Sequence, residues 1–343
     1  MWWNEGDMEQ RETSPAKPTI YDVAAAAGVS KSLVSLVLRG APRVSDASRR
    51  AVEEAIRELG YRPSRAATSL ASRRTQSVGL LIDDYTNLWF VDLVRGLHEV
   101  LGPDGYRLSV VDVATASAVE DPVDGLLSSR VDGIVVAMDV PDALIGPAAP
   151  PLVIAGTREQ LSTAADSVAN DDRLGARLAV EHLLSLGHRR IAHLPAGGGA
   201  GTARAQSAES VVADARLQWI AAPLSPSASE AEGYRAALDV LRRDPSITAI
   251  FAANDTMAVG ALGAARELGR DVPGRLSVVG YDNSALAGTR LVDLTTVDDV
   301  SVEVGREAGR LLAERMLGSI EPPVRRTLEP HLVVRGTTAP PHP

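Results

Sequence analysis

The sequence contains no cysteine. Disulfides, thiolate metal sites and cysteine nucleophiles are therefore excluded, and the composition suits a reducing compartment such as the cytoplasm. Aromatic residues are scarce: four Trp, six Tyr and two Phe in 343 residues. No apolar run approaches the roughly 18 residues of a membrane-spanning helix. The opening Met1-Trp2-Trp3-Asn4-Glu5-Gly6-Asp7 lacks the basic-then-apolar order of a secretion signal. Chemical constellations are missing as well. The Gly197-Gly198-Gly199-Ala200-Gly201 run fits neither the G-x-G-x-x-G dinucleotide fingerprint nor a phosphate loop ending in Gly-Lys-Ser/Thr, and reads as a mobile loop at a strand end. Neither G-x-S-x-G nor H-E-x-x-H occurs. The six histidines form no i,i+4 pair, and His182 and His188, bracketing a helix end, read as structural. No enzyme, metal site, cofactor or membrane partner is expected.

Charge of one sign is unevenly spread. The chain carries −9 overall, yet residues 17–75 hold eleven Lys/Arg against five Asp/Glu, while residues 76–343 hold 23 against 35. A basic module of about sixty residues on an acidic body is the electrostatic footprint of a nucleic-acid-binding head, because phosphate contacts supply most non-specific affinity. Residues 1–16 are acidic, polar and without periodicity, and read as a disordered leader. With 45% apolar residues, the remainder is long enough for two or three compact units.

Local signals organise the basic module, residues 17–62. Thr19 and Asp22 have capping-box spacing, and Ile20, Val23, Ala24 and Ala27 follow on one helical face. Gly28 supplies a tight turn, Ser30 caps a second helix, and Val34, Val37 and Leu38 give that helix its own stripe. Two short helices across a glycine turn form a helix-turn-helix. Ser45 opens a third helix, with Ala51, Val52, Ala55, Ile56 and Leu59 inward and Gly60 as its stop. In such a motif the second helix enters the major groove, which presents Lys31, Ser32, Ser35 and Leu36 to base edges. Leu36 has the alternative of a second core face.

These residues carry a resemblance. Thr19-Ile20-Tyr21-Asp22-Val23-Ala24, Ala27-Gly28-Val29-Ser30, Val34-Ser35, Val44-Ser45 and Leu59-Gly60-Tyr61-Arg62-Pro63 are similar to the signature of the lactose/galactose-repressor (LacI/GalR) family. The resemblance implies a sequence-specific transcription regulator that binds double-stranded operator DNA as a homodimer or tetramer. It adds Thr19, Tyr21, Ser30, Arg39, Ser45, Ser48 and Tyr61 to the expected DNA contacts. It also implies that residues 63–75 are a hinge helix folding in the minor groove, with Ser64 and Ala67 at DNA and Leu70 as a wedge between base steps. Read from the residues alone, that stretch is too short to hold a helix by itself and favours a flexible linker; the resemblance favours the hinge. Leu36 stands where the family usually has Arg.

From Ser77 onward, short β-rich runs alternate with amphipathic stretches. Candidate strands are Val78–Ile82, Leu108–Val113, Gly133–Ala137, Leu152–Ala155, Ile191–Leu194, Ala249–Ala252 and Leu276–Val279. Candidate helices are Asp172–Leu186, Glu230–Leu241, Met257–Leu268 and Val302–Leu317. This alternation predicts two doubly wound parallel-sheet lobes. With the head, the fold class is an all-α helix-turn-helix head plus an α/β core, of periplasmic-binding-protein-like type by resemblance. The core is expected over 76–336, with lobe 1 at about 76–169 and 297–323, lobe 2 at about 170–296 and 324–336, and a tail at 337–343. Ligands of such sheets bind beyond the C-terminal strand ends. Asp83 stands at such an end, and the resemblance of Ala252-Ala253-Asn254-Asp255 and Val279-Gly280-Tyr281-Asp282 to family motifs implies that Asn254 and Asp282 line a small-molecule effector pocket, with Trp89 and Phe90 either stacking on the ligand or serving structure. Asp255 reads as a helix cap. The resemblance places Gln206 where an effector-clamping Arg is usual, with Arg204 as a substitute, and Gly156 where an Asp is common. The alternatives are a constitutive DNA-binding dimer whose core binds no effector, and a solute-binding receptor.

Overall fold

The computed structural model describes residues 18–38, 41–61, 74–115, 121–146, 149–160, 164–225 and 227–342. They fall into two compact units, one ending at Thr75 and one beginning at Gln76. The expected leader, Arg39 and the hinge residues Ser64, Ala67 and Leu70 lie outside the described residues.

The first unit holds α1 (Ile20–Ala26), α2 (Lys31–Leu38) and α3 (Asp46–Leu59). The Thr19 amide and hydroxyl both donate to the Asp22 carboxylate, at 2.7 and 2.8 Å, so the shorter acid closes a capping box in place of Glu. Ser30 Oγ accepts from the Leu33 amide and Ser45 Oγ from the Ser48 amide, which fixes the starts of α2 and α3. Gly60, at φ 60°, ends α3 in the left-handed conformation that costs a glycine little. The chain bends by 103° between α1 and α2, as a helix-turn-helix requires. Val23, Ala24, Val34, Val37, Val44, Val52, Ala55 and Tyr61 form the core. Leu38 and Leu59 face outward instead of completing their stripes.

The second unit contains two six-stranded sheets. The first runs β11-β5-β4-β3-β1-β2, built from β1 (Ser77–Ile82), β2 (Arg107–Asp112), β3 (Gly133–Val136), β4 (Leu152–Ala155), β5 (Asp166–Asn170) and β11 (Arg325–Leu328). The second runs β12-β10-β9-β8-β6-β7, from β6 (Ile191–Leu194), β7 (Ile220–Ala221), β8 (Ala249–Ala252), β9 (Ser277–Tyr281), β10 (Thr295–Asp298) and β12 (His331–Val333). Every pairing is parallel except β10 with β12. Helices α4 (Trp89–Leu101), α5 (Pro122–Ser128) and α10 (Ser301–Met316) cover the first sheet. The second is covered by α6 (Asp172–Ser185), α7 (Gly198–Asp214), α8 (Glu230–Arg243) and α9 (Asp255–Glu267). The apolar runs of β1, β3 and β8 follow from burial on both faces.

The two doubly wound lobes match the expectation, with three corrections of extent. Strand β10 belongs to lobe 2 and β11 to lobe 1, so the second and third crossings fall at Asp299-Val300 and Glu329-Pro330, not at 296/297 and 323/324. Residues after 336 are no loose tail. Thr337 is buried, accepts from the Thr295 amide and donates to the Val278 carbonyl, while His188 reaches the Ala339 carbonyl. The glycine run is not wholly a loop, since α7 begins at Gly198.

Candidate functional sites

On the head, Val34 and Val37 turn inward, and Lys31, Ser32 and Leu36 are exposed on the outer side of α2, with Ser35 half-buried between them. Leu36 is 39% exposed, so it is not a second core face. Lys31 Nζ donates to the Tyr21 hydroxyl at 3.2 Å and sits 4.9 Å from that ring's centroid. Tyr21 on α1 thus holds the one cation of α2 in place, and its own ring is 64% exposed. Thr19 and Ser30 are exposed near the start of each helix, and Ser45 and Ser48 bond one another at the start of α3. Tyr61 departs from expectation: its side chain packs in the three-helix core because the chain after Gly60 folds back over Ile56.

In the core unit, both strand orders reverse direction beside the first strand of their lobe, between β1 and β3 and between β6 and β8. Crevices open at the carboxyl ends of such switch points. A cleft of about 130 Å³ lies there, several times the roughly 10–15 Å³ one water needs. Lobe 1 contributes Asp83, Trp89, Phe90 and the Gly156-Thr157-Arg158 turn after β4; lobe 2 contributes the Gly197–Gly201 segment, Arg204, Asn254 and Asp282.

Five expected effector residues, Asp83, Trp89, Phe90, Asn254 and Asp282, line this cleft together with Arg204. For Trp89 and Phe90 the structural alternative holds, and the roles of Asn254 and Asp255 differ from the expectation. Trp89 and Phe90 are buried edge-to-face, centroids 5.3 Å apart, as part of the lobe 1 core. Asn254, not Asp255, caps α9: its Oδ1 accepts from the Met257 amide at 2.8 Å, and its Nδ2 donates to the Ala228 carbonyl. Asp255 instead takes hydrogen bonds from Ser284 and Thr296 in the interior, and burial raises its pKa to about 6. Gln206 does not line the cleft. It is exposed and accepts from Arg173 at 2.7 Å, because two residues along a helix turn a side chain by about 200° from inward-facing Arg204.

Arg204 is buried among counter-charges. It donates to Asp172 at 2.7 Å and to the Ala253 carbonyl at 2.5 Å, lies 3.8 Å from Asp282 and stacks 3.7 Å from the Tyr281 ring centroid. Burial opposes its charge, but Asp172, Tyr281 and Asp282 more than offset this and hold the proton more firmly. Desolvation raises Asp282 well above the carboxylate range, against the pull of Arg204. Asp299, at the second lobe crossing, is fully buried with Oδ2 unpartnered among the described residues, and burial raises its pKa to about 7. Its neighbour Val300 sits at φ 55°, a strained conformation for a β-branched residue. His188 is structural, bonded to Thr248, Ser277 and Ala339.

Arg158 was not foreseen. Its guanidinium folds back onto the Ala155 carbonyl, with Nε at 3.0 Å and Nη2 at 2.5 Å, and lies 5.7 Å from the Trp89 ring centroid. Gly156, at φ 81°, leaves the space: a Cβ there would stand 2.8 Å from the guanidinium. An arginine three residues past a strand end, behind a glycine, was the available signal. Among the described residues no group of three His, Asp or Glu is placed to hold a metal ion, and no single helix is long and apolar enough to cross a membrane.

Residues 19–64 match the family model for bacterial regulatory proteins of the lacI family, and residues 180–338 that for a periplasmic binding protein-like domain. The HTH-type transcriptional regulator CelR of Thermobifida fusca is 34% identical over 342 residues, covering 96% of this chain and 99% of CelR. Among solved structures, a LacI-family transcriptional regulatory protein from Corynebacterium glutamicum is 49% identical with a TM-score of 0.71, over 78% of this chain and all of that one. The lac repressor dimer bound to operator and the anti-inducer ONPF is 29% identical with a TM-score of 0.80, over 94% of this chain and 99% of that one. With its helix-turn-helix head and its two-lobed core, this chain belongs to the LacI family and is a DNA-binding transcription regulator, not an enzyme.

Proposed function

We propose that the protein is a cytoplasmic repressor that binds a palindromic operator as a dimer and is controlled by a small polar metabolite in the inter-lobe cleft. The observation that carries the DNA half is the outer side of α2, where Tyr21 holds Lys31 beside Ser32, Ser35 and Leu36. Lys31 donates to guanine acceptors or to phosphate, the serines adapt to several edges, and Leu36 suits a thymine methyl. Thr19, Ser30, Ser45 and Ser48 sit where helix starts meet phosphate. Residues 63–75 complete the reading as hinge helices paired in the minor groove, with Leu70 as the wedge.

Two heads on one dimer read inverted half-sites, so the operator is palindromic. A ligand that favours one relation of the lobes shifts operator affinity by a coupling of about 1–3 kcal/mol, and operator shifts ligand affinity by the same factor. The test is selection of bound sequences from random DNA by the purified chain at stated salt, followed by operator binding with and without a pool of small metabolites. An enriched palindrome whose binding the pool alters supports the whole reading. Salt-dependent binding without a motif overturns the operator assignment.

A second reading, a constitutive DNA-binding dimer, is favoured by one observation: the side chains expected to clamp an effector are otherwise occupied, Arg204 paired with Asp172 and Gln206 turned away toward Arg173. A metabolite pool without effect on operator binding selects it.

A further inference from the structure

Two cationic side chains line the cleft, and they differ in what neutralises them. Arg204 spends its donors on Asp172 and Ala253 and lies against Asp282 and Tyr281. Arg158 comes from the opposite lobe and is held by one neutral carbonyl and the Trp89 face, with no carboxylate within ion-pairing distance among the described residues. Its Nη1 has no hydrogen-bond partner among the described residues. Guanidinium groups present a planar fork that fits carboxylate and phosphate oxygens in pairs, and a half-buried one without a counter-ion remains poor in acceptors. Asp83, Asp139 and Asp172 act on Arg158 only at longer range, and burial works against its charge more than they support it. Asp83 also lines the cleft, where desolvation raises its pKa, and its oxygens suit hydroxyl donors.

The surroundings are built around this side chain. Gly156 leaves no Cβ where the guanidinium lies. Gly199, in the first turn of α7, presses directly on the backbone of Arg158 and Glu159: a Cβ there would come within 2.5 Å of the Arg158 carbonyl carbon and 2.7 Å of the Glu159 nitrogen. Lobe 2 therefore touches lobe 1 at the residue that carries the unpaired cation. Helix α7 also starts at this wall with no side chain capping its amides, which adds the positive end of its dipole.

We propose that Arg158 is the specificity-determining cation of the cleft and that it selects a hydroxylated acid, a sugar carrying a carboxylate or phosphate, over the neutral sugar. The acid group bonds the Arg158 fork, and hydroxyls reach Asp83. This inference rests on the cleft being an effector site.

The test is calorimetric titration of the full-length wild type, Arg158→Gln and Arg158→Lys with glucose, gluconate and glucose 6-phosphate at constant ionic strength. Gluconate or glucose 6-phosphate should bind the wild type at least tenfold more tightly than glucose, and the tighter of the two identifies the acid group. Arg158→Gln should lose at least tenfold for that acid and little for glucose. Arg158→Lys should recover part of the loss, which a merely misfolded variant would not. Equal affinity for glucose and its acids, or an Arg158→Gln loss equal for all three, overturns the selection while leaving an effector site intact. If the metabolite pool alters operator binding but neither acid binds, the inference falls alone; if the pool does nothing, the effector reading falls with it.

Discussion

Replacing Asp299 with Asn should stabilise the core at alkaline pH and do little at acid pH. Asp299 is fully buried at the second lobe crossing; Oδ1 accepts from the Ser301 amide at 3.1 Å and Oδ2 has no partner among the described residues. Arg204 favours its charge, while Asp172 and Asp298 oppose it, and burial dominates. Asp282 adds a further acidic neighbour. The folded acid therefore holds its proton up to about pH 7, against 3.8 for the ordinary side chain. With the folded pKa raised, the stability linked to this proton is fully present below about pH 4 and is lost as pH rises through 7. That interval corresponds to about 4 kcal/mol at 1.36 kcal/mol per pH unit. His193 pulls the other way, because burial lowers its pKa from 6.5 to about 4, so its contribution is present above pH 6.5 and lost on acidification. Comparing wild type with Asp299→Asn cancels His193 and isolates the acid. Asn keeps the acceptor for Ser301 and never ionises. Urea unfolding followed by circular dichroism should give a difference under about 1 kcal/mol at pH 4 and about 4 kcal/mol in favour of the variant at pH 8. A difference that does not change with pH, or a variant weaker than wild type at pH 8, refutes the reasoning.

Lys31→Ala should weaken operator binding by roughly tenfold, about 1.4 kcal/mol; relaxed preference at one base pair in a repeated random-DNA selection identifies a base contact, and a flatter salt dependence a phosphate contact. Arg204→Leu should destabilise the core by about 3–5 kcal/mol in denaturant titration, because Asp172 is left buried without its counter-ion. Gly199→Val should hold the lobes apart at the cleft, seen as faster hydrogen exchange at residues 156–159 with the rest of both sheets unchanged.

The elements that were legible in the sequence are those whose burial leaves a long apolar record. Strands β1, β3, β4 and β8 are largely buried on both faces and read directly as apolar runs, and β6 does so but for the buried His193. Strand β5, written Asp-Ser-Val-Ala-Asn, carries polar residues at both ends because it leads into the lobe crossing. Strand β11, Arg-Arg-Thr-Leu, is an exposed edge with no apolar face to announce it. Helix α7 hides behind glycines of poor helix propensity, and packing of Ala208 and Val212 against α6 overrides that preference. Errors at the cleft were of a single residue or a single face. Asn254 and Asp255 are adjacent and chemically alike, and only the backbone register decides which one caps α9. Gln206 and Arg204 are two positions apart, and only the helix phase sends one outward and the other inward. The DNA face was more legible, since a three-helix head leaves few choices of which side of α2 is free. The packing of Tyr61 was not legible, because an aromatic after a capping glycine can either pack or point out, and composition does not distinguish the two.

The position of Arg158 ties ligand choice to lobe geometry. Had the unpaired cation stood deep in one lobe, a ligand would bind the open and the closed arrangement with similar affinity and would shift no equilibrium between them. Here the backbone of Arg158 is itself the surface on which Gly199 of the other lobe rests. A group bonded to the guanidinium then sits where the two lobes meet, and Val300 at φ 55° and Asp299, whose Oδ2 has no partner among the described residues, lie at the second crossing between them. A difference of about 1.4 kcal/mol between the two arrangements corresponds to a tenfold shift in any affinity coupled to them. One arginine, two glycines and a crossing loop can supply that difference without any rearrangement inside either sheet.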